Sequence, residues 1–83
     1  MGLHIDIDGV RDSNARTHIE STIRDYIGEP PKDEDWNVTI NSSGGQSLVV
    51  VRTPRQAYRK MFFSTPWNLS EDIPEWLQQH PLQ

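Results

Sequence analysis

Eighty-three residues, no cysteine and a formal charge of −4 describe one small domain, spanning 1–83, with no disulfide, thiolate metal site or cysteine nucleophile. A chain of this length buries roughly 60–65% of the surface that its unfolded form exposes, which leaves no room for a deep cleft around a large substrate. The opening MGLHIDIDGV has neither a basic leader nor a long apolar run, and no later stretch approaches a membrane span, so a cytoplasmic protein without membrane contact is expected.

Leu3, Ile5 and Ile7 alternate with His4, Asp6 and Asp8, the period of a strand with one buried face, and Gly9 ends it. From Ser13 the period lengthens: Ala15, Ile19, Ile23, Tyr26 and Ile27 fall on one stripe of a helix over 13–27, with Asp12 or Ser13 as N-cap and Gly28 as C-terminal stop. His18 lies beside that stripe, where a half-buried structural histidine is expected. GEPPKDED, residues 28–35, joins two prolines to four acids and reads as a solvated connection.

Trp36, Val38 and Ile40 then alternate with Asn37, Thr39 and Asn41, a second strand, and SSGG at 42–45 predicts a hairpin turn. Its partner is SLVVVRT, 47–53, whose β-branched run suits the middle of a sheet. After Pro54, AYRKMFFST at 57–65 predicts the last strand, ended by Pro66. Ser70 or Asp72 caps a short final helix with Ile73, Trp76 and Leu77 on its apolar edge, and Pro81 stops it. Trp36, Trp67 and Trp76 are all assigned to the core, which needs large apolar side chains at this size.

The expected fold class is α+β: a two-layer domain of order β-α-β-β-β-α, with its helices packed on one face of an antiparallel sheet. The helix, three strands, helix succession resembles double-stranded-RNA-binding domains in element order. Those domains carry a basic cluster at the start of the last helix, where this chain has the acidic LSEDIPEW, 69–76, so the family is not assigned.

Asp6-Ile7-Asp8-Gly9-Val10, at the end of an apolar strand, resembles the first motif of haloacid-dehalogenase-like phosphotransferases. The resemblance implies Asp6 as nucleophile and Asp8 as acid/base. That chemistry also needs a parallel sheet, a lysine on a later strand and a further acidic pair for magnesium, which do not fit this length. The residues alone describe an exposed strand face on which His4, Asp6 and Asp8 recur every ~6.5–7 Å, short of the four supported ligands of a structural metal site. No phosphate-binding loop precedes a helix and no nucleophile turn marks a triad. No catalytic residue, metal or cofactor is expected.

Charge is segregated along the chain. Between Trp36 and Ser70 there is no aspartate or glutamate, while Arg52, Arg55, Arg59 and Lys60 fall within nine residues; the −4 total is therefore about +4 on the meander and −8 elsewhere. If Trp36, Val38, Ile40, Val49, Val51, Met61 and Phe63 face the helices, then Leu48, Val50, Arg52, Tyr58, Lys60 and Phe62 share the other sheet face. The inverse register puts Lys60 in the core and Arg59 outside. The function read from this pattern is a non-enzymatic interaction module, binding a protein partner or a second copy as a homodimer, with Arg52, Arg55, Tyr58, Arg59, Lys60 and Phe62 as binding residues. The alternative is a nucleic-acid binder in which Tyr58 and Phe62 stack on bases and the four cations meet phosphates. The uncompensated acids would repel a polyanion, and nucleic acid is not expected as the partner.

The incomplete phosphotransferase motif generates a direct test. With magnesium present, the protein should not turn over aryl phosphates; turnover that disappears in Asp6→Asn would reverse this expectation.

Overall fold

The computed structural model describes residues 2–63 and 65–80. Its elements are β1 (Gly2–Asp8), α1 (Ser13–Ile27), β2 (Asp35–Ser43), β3 (Gln46–Arg52), β4 (Ala57–Phe62) and α2 (Pro66–Leu77). This is a small α+β domain in the order that the sequence predicts.

The sheet is mixed, which corrects the expectation of an antiparallel one. Its strands lie side by side in the order β1-β2-β3-β4, with β2–β3 and β3–β4 antiparallel but β1 parallel to β2. The cause is the long connection. α1 and the loop after it carry the chain back along the sheet, so β2 starts at the same end as β1 and runs beside it, as a crossover of a dozen or more residues allows.

Both ends of α1 are closed by local chemistry. The Asp12 carboxylate accepts from the backbone N–H of Asn14 (2.9 Å) and of Ala15 (3.4 Å), while Gly28, at φ 74°, donates its N–H to the Arg24 carbonyl at 2.8 Å. Ala15, Ile19 and Ile23 are buried as the stripe predicts, but Tyr26 is 41% exposed. Isoleucines 19 and 23 join Val38, Ile40, Val49, Val51, Phe62, Leu69, Ile73, Trp76 and Leu77 in one core cluster, against which Leu3, Ile5, Ile7, Ile27 and Tyr58 pack.

The hairpin turn is tighter than SSGG: Ser42 and Ser43 continue β2, and only Gly44 and Gly45 turn, with φ of 57° and 82°, the pair of positive values that a two-residue hairpin requires. β4 ends at Phe62, short of the expected 65, and Ser64 lies outside the described residues. α2 starts earlier than either predicted cap. Thr65 precedes it and Pro66 opens it, because proline's fixed φ suits the first helical position, where its missing N–H costs no intrahelical bond; Pro66 is a helix start rather than only a strand stop. The stop assigned to Pro81 lies outside the described residues. Trp36 and Trp76 are buried, whereas Trp67 is 48% exposed. It meets the ring of His18 at 5.3 Å, and His18 is itself exposed rather than half-buried.

Gly9, at φ 83°, lies against Ser42 of β2 so closely that an added Cβ would overlap the Ser42 carbonyl oxygen. The glycine of the Asp-Ile-Asp-Gly stretch is thus required by packing. Gly9→Ala combines positive-φ strain with overpacking and should cost about 2–4 kcal/mol. Gly45→Ala, at φ 82° with open space around it, should cost about 1 kcal/mol. Urea unfolding of the two variants checks the order, and equal losses would show that the Gly9–Ser42 approach is not tight.

Candidate functional site

The alternation of buried positions fixes which side chains lie opposite the core cluster. On β2 and β3 the core takes Trp36, Val38, Ile40, Val49 and Val51, leaving Asn37, Thr39, Asn41, Leu48, Val50 and Arg52 on the other face. Strand pairing sorts that open face into rows. His4, Asn37, Arg52 and Ala57 form the first, Asp6, Thr39, Val50 and Arg59 the second, and Asp8, Asn41, Leu48 and Met61 the third. Read from β1 to β4, the chemistry passes from carboxylates through amides and a hydroxyl to aliphatic groups, and ends on a cation and a thioether.

Residues on β4 occupy the inverse of the favoured register. Four residues, 53–56, separate β3 from β4, so Val51 pairs with Tyr58, Val49 with Lys60 and Ser47 with Phe62. Tyr58, Lys60 and Phe62 therefore lie on the core side, and Ala57, Arg59 and Met61 on the open one. Phe62 is 7% exposed, edge-on to Trp76 at 5.7 Å. Tyr58 is half-buried: its ring lies 4.8 Å from that of His80 and its hydroxyl donates to Gln56 Oε1 at 2.7 Å. The inverse register does not bury Lys60. As β4 is the sheet's edge, the ammonium remains exposed and sits 5.3 Å from the centre of the Phe62 ring.

Of the six binding residues read from the sequence, then, the open face brings together only Arg52 and Arg59. Arg55 is engaged elsewhere. Its guanidinium grips the Glu34 carboxylate with both terminal nitrogens, Nη1 to Oε2 at 2.8 Å and Nη2 to Oε1 at 3.0 Å, and the Trp36 indole N–H donates to the same Oε1 at 2.9 Å. This fork ties the β3–β4 connection to the start of β2. The sequence reading missed Met61, which is 40% exposed in the row of Leu48, and Asn37, Thr39 and Asn41, whose strand alternation already set them opposite Trp36, Val38 and Ile40. Phe63, just beyond β4, is 77% exposed.

A shallow hollow of ≈300 Å³ on this face is lined by Asn37, Thr39, Val50 and Arg52. A larger cavity of ≈450 Å³ lies away from it, lined by the 28–34 loop with Gly2, Leu3 and Arg24. Asp6 and Asp8 stand exposed in successive rows on β1, and His4 approaches Asp35 with 3.5 Å between Nε2 and Oδ1. Among the described residues no group of three or more histidine and carboxylate side chains is placed to hold a metal ion, and no helix is long and apolar enough to cross a membrane. No protein family, curated protein or solved structure matches the chain.

The Glu34 clamp has a measurable signature. The Arg55 hydrogen bonds, followed by that of Trp36, hold the Glu34 carboxyl below its ordinary pKa. A depressed carboxylate contributes stability that is present above its unfolded pKa and is lost as pH falls through the native value. In Arg55→Gln, the Glu34 carboxyl resonance should therefore titrate at a higher pH than in the parent, and the acid limb of thermal stability should lose less between those two pKa values. An unchanged Glu34 titration would show that the fork does not form in solution.

Proposed function

We propose that this chain is a non-enzymatic interaction module that binds protein through the open face of its sheet, with the two helices forming a second layer behind it. The observation that carries the reading is the grouping of Leu48, Val50 and Met61 with Arg52 and Arg59 on adjacent strands of one exposed face. Aliphatic and thioether groups gain from leaving water, and the flanking guanidiniums give direction to whatever covers them. The binding residues are thus Arg52 and Arg59 from the sequence reading, joined by Leu48, Val50 and Met61. Arg55, Tyr58, Lys60 and Phe62 support the strand that presents them.

Protein is a better match than nucleic acid. Asp6 and Asp8 share the face with the two arginines, so a phosphate chain laid across it would meet carboxylates, and the aromatic rings that would stack bases point the other way. The sheet face offers no enclosed space for a substrate, which favours binding over catalysis.

Single-stranded and duplex oligonucleotides should accordingly bind negligibly at physiological salt. Micromolar affinity that falls steeply with salt, and whose salt slope drops by roughly one on Arg59→Gln, would place the protein in the nucleic-acid class instead.

A further inference from the structure

We infer that the occupant of the open face is a second copy of this chain, stacked face to face about a two-fold axis that runs along the strands between β2 and β3. The inference rests on the protein-binding reading above and names its partner. The argument is geometric. When two sheets meet face to face, a two-fold axis across the strands lays β1 on β1 and β4 on β4, carboxylate on carboxylate and guanidinium on guanidinium. An axis along the strands instead lays β1 of each copy over β4 of the other and keeps every row at its own height.

Asp6 and Arg59 belong to one row, at opposite ends of it, so this axis sets Asp6 of each copy over Arg59 of the other. Asp8, one row along and on the same face, flanks that arginine from the side. Leu48 and Val50, on a strand next to the axis, lie over Asn41 and Thr39 of the other copy, with their own symmetry mates one strand spacing to the side, and Arg52 lies over Asn37. A self-complementary face of this kind needs acid and base at equal distances from the axis, which the strand order β1-β2-β3-β4 supplies. The ~30° angle at which twisted sheets stack leaves the centre of the face in register and shifts the ends of each row by a few ångströms, within reach of an arginine side chain.

The area sets the strength. Four strands about 4.8 Å apart and some seven residues long present roughly 400 Å² of flat face per copy, about half of what a standard stable interface buries on each side. The dimer is therefore weak and concentration-dependent.

Sedimentation velocity on the full chain and on Asp6→Arg and Arg59→Asp tests this, with circular dichroism to show that the variants are folded. Both positions are exposed, so the fold should survive. The parent should move toward twice its 9.6 kDa mass as concentration rises into the millimolar range. Each variant alone should remain a monomer, since its dimer would oppose two like-charged pairs. An equimolar mixture of the two should associate at least as well as the parent, because in the mixed dimer one Asp6–Arg59 contact is kept and the other is restored with its sign reversed. A parent that stays monomeric, single variants that dimerise as the parent does, or a mixture that fails to associate when the parent does would each overturn the proposal. If it is overturned while oligonucleotides still do not bind, the face serves a different protein; oligonucleotide binding would instead remove the reading on which the proposal rests.

Discussion

Thr53 closes the connection between β3 and β4 on itself. Its backbone N–H donates to the Gln56 carbonyl at 2.8 Å, and its hydroxyl oxygen accepts from the N–H groups of Arg55 and Gln56 at 3.3 and 3.2 Å. The residue is buried, so these bonds form away from competing water and hold the turn at four residues. An even count of connecting residues makes Arg52 face Ala57, and every odd-numbered residue of β3 then pairs with an even-numbered one of β4. Because side chains alternate at every step, one residue more or fewer would exchange Arg59 and Met61 for Lys60 and Phe62 on the open face. The composition of the open face depends on that turn.

The Glu34–Arg55–Trp36 fork fixes the same turn from outside. It spans the start of β2 and the β3–β4 connection, and it satisfies the one polar atom of a tryptophan that is otherwise fully packed. Arg55 sits in the densest run of cations in the chain, yet its charge is spent on a carboxylate that lies in the acidic stretch preceding the meander. Charge segregation along the sequence is thus partly cancelled in space at this corner and preserved on the open face, where Arg52 and Arg59 lie across from Asn37 and Val50 rather than from an acid.

The crossover that makes β1 parallel to β2 has a second consequence. It brings His4, Asp6 and Asp8 into the sheet that holds Arg52 and Arg59, two strands or more away, and on the same face. A face that the meander alone would make basic and apolar becomes polarised from one edge to the other. Gly9 lets the chain leave β1 against the Ser42 carbonyl, so the aspartate-rich stretch that resembles a phosphotransferase motif has a packing role for its glycine and an exposed-edge role for its carboxylates.

Local sequence determined the elements. The 3.6-residue stripe of Ala15, Ile19 and Ile23, the caps at Asp12 and Gly28, the alternation of Trp36, Val38 and Ile40 and the two glycines of the hairpin are all short-range patterns, and each appears where the sequence places it. Such patterns state which residues share a face within one element, but not which neighbour an element meets. Tertiary structure decided the parallel pairing of β1, because strand direction depends on where a crossover returns the chain. It decided the register of β4, because its residues carry no clean alternation and the parity of a turn overrode them. It also decided the exposure of Trp67 and the early start of α2, since proline can either end a strand or begin a helix. Of the candidate surface, Arg52 and Arg59 were legible as bases in a polarised meander; Met61, and the removal of Arg55 and Phe62 from the face, followed only from how the strands and the Glu34 carboxylate came together.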